Sequence, residues 1–458
     1  MAMDTMVNSA LHLFKVPPTD NSMEAYRMVT IQPTTTGINP MEFILPTLDS
    51  FVDLGRSYFT MELQLKKSDN SNLEASEKLW PVNNLAHSIL KQIDLHLNGT
   101  LISPQSDTYH YKAYLETLIN FDRTDGKTIL GPQRWYNQVD SPPEWTTNNT
   151  DTTTNSGAGH NDYKALSANH KAMLAAMTAE TVNYAGGVTR SLVFKPHLEV
   201  FHTGKVMVPG VEIKIKFHFC SPNLFFNGVG EAGRLKEEDV KVRFHLCQLR
   251  LNETVYMNLA AQRHNEEAVA VYPTVRSEIR TFSMESTLSR FEIRDLFQNR
   301  VPDRMIVGLL DSRAFNGAVT RDPFCFQKFG LTSIKQIVKG EEYPYETLEL
   351  VGNDSSKDLL GYFRFLLASG GWCKLKGNMV EKDDWGQGKG CTLYMYDNVA
   401  NGCADSRNLN PKQSGDLQLK LEFRAAPNTN ITVLVYGEFE NLIEVDKNGA
   451  VLYDIYHH

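Results

Sequence analysis

Long apolar runs are missing from this chain. The longest candidate, LLGYFRFLLA at 359–368, is broken by Arg364 and is well short of the roughly 20 residues a membrane-spanning helix needs. A basic excess is missing too: 46 Lys and Arg against 54 Asp and Glu leave a net charge of −8. That balance argues against direct nucleic-acid binding by this chain, which would need cationic patches to displace counterions from phosphate. Cysteine is scarce, and Cys220, Cys247, Cys325, Cys373, Cys391 and Cys403 form no C-x-x-C pair. They read as buried thiols rather than a zinc ribbon or a disulfide framework.

Catalytic signatures are equally thin. There is no HExxH, GxSxG or H-x-H, and His197 and His202 stand five apart on an expected loop or strand edge. His218 and His245 lie among apolar strand residues and read as satisfied barrel histidines. The stretch GVGEAG, Gly228–Gly233, matches G-x-G-x-x-G by letters. A dinucleotide site needs an apolar helix after it, whereas RLKEEDVKVRF supplies a polar turn and a strand. GQGKG, Gly386–Gly390, lacks P-loop spacing and reads as a turn. No catalytic residue, cofactor or metal is expected, and the chain does not read as an enzyme. The opening residues MAMDTMVNSALHLFK carry Asp4 and neither a basic leader nor an apolar core, so synthesis in the cytosol is the expectation.

What the chain does have is material for large β cores. Hydrophobic residues make up 41% and aromatics 10% of 458 residues, enough for two all-β units of roughly 200 to 250 residues each. In PVNNLAHSILKQIDLHLNG, Pro81–Gly99, Leu85, Ile89 and Leu90 recur at helical spacing. Ile93, Leu95 and Leu97 then alternate and run into Asn98-Gly99, the pair that supplies both positive-φ positions of a type I′ hairpin.

The same devices return downstream. YHYKAYLETLI places Tyr111, Tyr114, Leu115, Leu118 and Ile119 on an amphipathic-helix template. LLGYFRFLL places Leu359, Tyr362, Phe363, Leu366 and Leu367 on it again, displaced by 248 residues. The alternating strand YFTMELQL is matched by RMIVGLLD, displaced by 244, and the turn at Gly99 by one around Gly340, displaced by 241. Each copy closes with a strongly alternating strand, GVEIKIKFHF in the first and DLQLKLEF in the second, followed by VKVRFHLCQLRL and ITVLVYGEF. Order and displacement both repeat, so the pattern predicts two β-sandwiches of similar plan in tandem.

The helix-to-strand interval is 92 residues in the first copy, Ile119 to Val211, and 50 in the second, Leu367 to Leu417. The excess coincides with SPPEWTTNNTDTTTNSGAGH, Ser141–His160, whose Thr, Asn and Gly cannot build a core and should project as a solvated loop at a rim. A short helix over Tyr163–Thr178 follows it. The polar stretch NLAAQRHNEEA, Asn258–Ala268, reads as the connector between sandwiches.

Between Arg276 and Asp322 lie eight arginines, seven acidic residues and no lysine. Near-balanced charge makes a phosphate surface a poor fit. Two readings stand: solvated strand faces carrying ion pairs, or a subunit contact, for which Arg290, Arg294, Arg300 and Arg304 are the candidates.

Several blocks, PVNNLAHSILKQIDLHLNGTLISPQSDTYHYKAYLETLINF, YPTVRSEIRTF, DLFQNRVPDRMIVGLLDSRAFNG with DPFCF, and VYGEFENLIEVDKNGAV, closely resemble the hexon-like major capsid proteins of Polinton (Maverick) elements and adintoviruses. The resemblance runs from about residue 40 to 455 and is weakest across 124–190. It implies an all-β double jelly roll, a pseudo-hexagonal homotrimeric capsomer and an icosahedral shell, with penton and minor capsid proteins of the same element as partners and the virion as location. The expected division is an N-terminal arm over 1–28, a first jelly roll over 29–257 with its insertion across 124–190, and a linker with the second jelly roll over 258–458. A carbohydrate-binding jelly-roll protein is the other class considered, with Trp145, Trp372 or Trp385 as stacking platforms.

Overall fold

The computed structural model describes residues 19–103, 106–137, 144–146, 168–264, 269–351, 358–371, 377–402, 404 and 409–453. The first sandwich is built from β1 (Met23–Ile31), β2 (Met41–Leu45), β3 (Phe51–Leu63), β4 (Leu90–Leu97), β5 (Thr100–Leu101), β6 (Arg190–Phe194), β7 (Ile213–Phe219) and β8 (Val240–Leu251). The second is built from β9 (Ala270–Met284), β10 (Arg290–Ile293), β11 (Arg304–Asp311), β12 (Leu331–Val338), β13 (Glu341–Glu342), β14 (Leu393–Asp397), β15 (Leu417–Phe423) and β16 (Ile431–Val445).

Sheet order in the first sandwich is β1-β8-β3-β6 facing β2-β7-β4-β5; in the second it is β9-β16-β11-β14 facing β10-β15-β12-β13. Adding eight to every label of the first gives the second. Both are jelly rolls, and the tandem plan expected from the repeated devices is the observed one. A short strand, Val451–Tyr453, pairs with β16, and another, Leu348–Glu349, pairs with β12.

Local chemistry explains the elements. β7 alternates buried and half-buried residues along its whole length, with Ile213, Ile215, Phe217 and Phe219 inward, as a strand with one core face must. One helical turn, Leu85–Ser88, leads directly into β4. The β4–β5 hairpin turns at Asn98 and Gly99, with φ of 46° and 82°. Its counterpart between β12 and β13 turns at Lys339 and Gly340, with φ of 53° and 89°, so the same positive-φ pair ends the same strand in both sandwiches.

Four longer helices accompany the strands: α1 (Tyr109–Asn120), α2 (Ala168–Tyr184), α3 (Glu253–His264) and α4 (Leu359–Ala368). α1 and α4 occupy equivalent places between the fifth and sixth strands of their sandwiches. The short helix expected over Tyr163–Thr178 is α2, shifted toward the C-terminus.

Three expectations change. Strand β1 begins at Met23, where Met23 faces Leu251 and Met28 faces Cys247, so the last residues of the expected 1–28 arm belong to the first sheet; residues 1–18 lie outside the described residues. The polar connector over Asn258–Ala268 is in part helical, because α3 runs from Glu253 through His264. Of the Ser141–His160 loop only 144–146 are described, and these do not project freely: the Trp145 N–H donates to the Thr320 carbonyl at 2.7 Å and Glu144 pairs with Arg321 at 2.7 Å.

One apolar core extends through both sandwiches, from Phe43, Phe59 and Phe217 in the first to Leu309, Leu421 and Val433 in the second. Within the first, Phe59 is ringed by Phe43, Phe194, Phe217 and Phe244 at centroid distances of 4.4 to 5.7 Å. The two jelly rolls are therefore fused by packing and not merely tethered by a linker.

Candidate functional site

The junction between the sandwiches is organised by α1, which buries ten of its twelve residues. One face packs on the first jelly roll, where Thr117 also returns a hydroxyl bond to the Ala113 carbonyl at 2.7 Å. The opposite face is covered by the second. Tyr111 stacks on Phe315 at 5.4 Å, Tyr114 stacks on Phe324 at 4.2 Å, and the Leu118 carbonyl accepts from the Met379 N–H at 2.9 Å. Aromatic stacking of this kind contributes about 0.5 to 1.5 kcal/mol per pair beyond area burial.

A buried polar chain crosses the same junction. Lys112 reaches Glu199 at 3.1 Å, and Glu116 holds His197 Nδ1 at 2.7 Å. From the second sandwich the Tyr436 hydroxyl donates toward Glu116 at 3.0 Å and Glu438 at 2.8 Å. Glu438 is in turn gripped by Arg304, with Nε and Nη2 both at 2.7 Å. A bidentate Arg–carboxylate pair of this geometry is the form of buried ion pair that best recovers its desolvation cost. Another link is Asn98, whose amide nitrogen donates to the Gly449 carbonyl at 2.6 Å while its oxygen accepts from the Glu212 N–H at 2.7 Å.

Burial sets the protonation of this region. It holds His197 down to about 3, assisted by Lys112 and Lys195, and His202 down to about 4, assisted by His197 and Lys195. His87 is depressed well below the ordinary imidazole range by burial and by His197. Burial alone would lower Lys112, but Glu199 and Glu116 outweigh it and leave the ammonium raised. The three imidazoles are neighbours, His87 to His197 at 4.8 Å and His197 to His202 at 6.1 Å. Among the described residues no three His, Cys, Asp or Glu side chains are arranged to hold a metal ion. The arrangement can stiffen the junction, and it presents no substrate-facing nucleophile. Sequence spacing gave no access to this network, because Glu116 and Tyr436 lie 320 positions apart. The one local trace was a Lys112–Glu116 pair at i, i+4 on an otherwise apolar helix.

The four candidate arginines divide. Arg290 and Arg294 have side chains 79% and 74% exposed. Both mark β10, the outermost strand of its sheet, as Arg290 lies on the strand and Arg294 just past its end. Arg300 is half-buried, paired with Glu278 at 3.0 Å and lying over the Phe439 ring at 4.9 Å. Arg304 is 4% exposed and bound to Glu438 inside the molecule. A guanidinium so enclosed is not offered to another subunit, so Arg304 is corrected from a surface candidate to an internal tie.

Other singled-out residues resolve similarly. His218 pairs with Asp94 at 3.0 Å, and His245 is held by Thr60 at 2.9 Å. In GVGEAG, a Cβ on Gly228 would meet the Lys78 carbonyl at 2.1 Å, and one on Gly233 the Lys66 carbonyl at 2.5 Å. These glycines serve close chain crossing, and no helix follows to cradle a phosphate. Trp145 and Trp385 are 1% and 2% exposed, which removes both as sugar-stacking platforms; Trp372 lies outside the described residues. Cys220, Cys247, Cys325 and Cys391 are free and buried, as expected, while Cys373 and Cys403 lie outside the described residues.

No protein-family model matches the chain. "Uncharacterized protein F54H12.2" of Caenorhabditis elegans is 21% identical over 420 residues, covering 89% of this chain and 91% of the relative. Among solved structures, the Sputnik virophage structure determined by cryo-EM gives a TM-score of 0.59 at 10% identity, covering 99% of this chain and 93% of that one. PBCV-1 VP54, fitted into a reconstruction of Sputnik, gives 0.58 at 10% identity over 96% of this chain and 98% of that one. The mavirus major capsid protein gives 0.51 at 12% identity over 98% and 95%. At these identities the likeness establishes the fold, and it spans both jelly rolls.

Proposed function

We propose that this chain is a major capsid protein, a structural subunit that assembles as a pseudo-hexagonal homotrimer and tiles an icosahedral shell of the Polinton and adintovirus type. The observation that carries the reading is the one-to-one correspondence of strand order between two jelly rolls fused through a common core. Three such chains present six alike barrels around a threefold axis, an outline that approximates a hexagon and can pack a lattice. Heterologous contacts close such a ring by rotation, and permanent interfaces of this kind bury more than about 2,000 Å². Contacts between trimers can be weaker, since many act together in a lattice.

On this reading the partners are further copies of the chain, then penton and minor capsid proteins of the same element, and the working location is the virion. Arg290 and Arg294, exposed at the edge strand β10, are retained as a candidate contact between subunits. Negative-stain imaging of the purified chain tests the function. Hexagonal trimers or closed shells are expected; a dispersed monomer at all concentrations would remove the reading.

A further inference from the structure

The template that marks α4 as amphipathic predicts that Leu359, Tyr362, Leu366 and Leu367 face the barrel beneath. The structure does the reverse. The residues buried on α4 are Gly361, Phe365 and Ala368, with Gly361 so close to Trp385 that an added Cβ would lie 2.3 Å from the indole. With about 100° between successive residues, the apolar template lies on the other side of the helix. Leu359 and Leu360 are 49% and 53% exposed, and Tyr362, Leu366 and Leu367 are only half-buried. Val351, whose N–H is held by the Asp358 carboxylate at the start of the helix, adds another exposed apolar side chain. A helix apolar on both faces belongs inside a protein, and a patch of this kind marks an interaction site.

The repeat identifies what covers it. Displaced by 248 residues, Tyr111, Tyr114 and Leu118 of α1 become Leu359, Tyr362 and Leu366 of α4. In α1 these three positions meet Phe315, Phe324 and Met379 of the second jelly roll. The positions of α1 that face its own barrel, Ala113 and Thr117, become Gly361 and Phe365, which face theirs. The two helices are therefore set alike on their barrels, and α1 has the next barrel over it whereas α4 has none within the chain.

Resting on the homotrimer reading above, we propose that α4 is the subunit contact: the first jelly roll of a second copy covers its Leu359–Leu360–Leu366 face, as the second jelly roll covers α1 within one chain. The contact is heterologous and recurs three times around the ring. The aliphatic face suits a permanent interface with a copy of this chain better than a transient polar partner.

Sedimentation of the full chain beside its Leu359→Glu/Leu360→Glu variant tests this. Both leucines are about half exposed, so the variant should fold, with an unchanged circular dichroism spectrum. The expected result is a trimer for the unaltered chain and a monomer for the variant, an association weakened by at least about 30-fold, as for a pair of interface hot spots. A variant that stays trimeric at the original strength overturns the α4 assignment and leaves the homotrimer standing. An unaltered chain that sediments as a monomer overturns both. If the variant does not fold, hydrogen exchange on the unaltered chain decides: amides of 359–368 protected in concentrated but not in dilute protein support the contact, and equal exchange overturns it.

Discussion

Tyr436 on β16 points its hydroxyl at Glu116 on α1, 3.0 Å away across the junction and 320 positions earlier in the chain. The same hydroxyl lies 2.8 Å from Glu438, so one proton serves two carboxylates that would otherwise repel. The tie is redundant on both sides, since Glu116 also holds His197 and Glu438 also holds Arg304.

That redundancy predicts unequal losses. Tyr436→Phe should cost about 1 kcal/mol, the value of a single hydrogen bond whose partners keep other contacts. Arg304→Ala should cost about 3 to 5 kcal/mol, because it strands a buried carboxylate. Adding Glu438→Gln to Arg304→Ala should recover part of that loss. Denaturant midpoints of the single and double variants measure the coupling; strictly additive losses would contradict the arrangement described.

Two glycines separate conformational strain from collision. Gly99 has a φ of 82° and open space where a Cβ would go, so Gly99→Ala should cost about 1 kcal/mol from backbone strain alone. Gly228 has a φ of 141° and the Lys78 carbonyl 2.1 Å from that point. Gly228→Ala should therefore be several times more damaging, on the order of 3 kcal/mol or more. Thermal melts of the two variants make the comparison.

Acid should loosen the protein before its ordinary carboxylates titrate. Burial holds His110, beside Tyr111 and Phe324, down to about 3, and His197 and His202 down to about 3 and 4. Because the unfolded chain takes up these protons first, stability falls as pH drops below 6.5. Each fully buried imidazole accounts for roughly 2 kcal/mol by pH 5. Asp303 and Asp384, raised to about 6 by burial, act in the opposite direction over the same range. Melting temperature should drop between about pH 7 and pH 5, and His110→Phe should make the drop shallower; an unchanged slope would show that this imidazole does not contribute.

Reversing charge at β10 tests the exposed arginines. Arg290 and Arg294 pair only with Glu422 at 3.5 Å and Glu292 at 2.9 Å, across exposed side chains. Pairs of that kind are worth little, so Arg290→Glu/Arg294→Glu should leave the melt of the isolated chain within about 0.5 kcal/mol of the original. Assembly should weaken, as read by particle or trimer yield at fixed concentration. Equal yield would remove these two residues from the contact.

The two-barrel plan was legible in the amino-acid order because its signals are local. Alternation in GVEIKIKFHF and DLQLKLEF fixes which side chains face inward, and Asn98-Gly99 and Gly340 mark turns through φ requirements that few residues meet. The amphipathic templates of α1 and α4 likewise located both helices to within a residue or two. Local pattern also placed Arg304 beside Arg290 and Arg294, since all look alike as charges between strands.

Tertiary structure alone decided where such groups point. An apolar stripe states that one helix face is to be covered, without stating by what; α1 and α4 share the stripe, yet only α1 finds its cover in the same chain. A charge can be buried only if a partner arrives from far along the chain, as Glu438 does for Arg304 and Tyr436 for Glu116. Strand start points are of the same kind: Met23 is strand because Leu251 lies opposite it. Periodicity is a property of neighbours in sequence, whereas cover, pairing and desolvation are properties of neighbours in space.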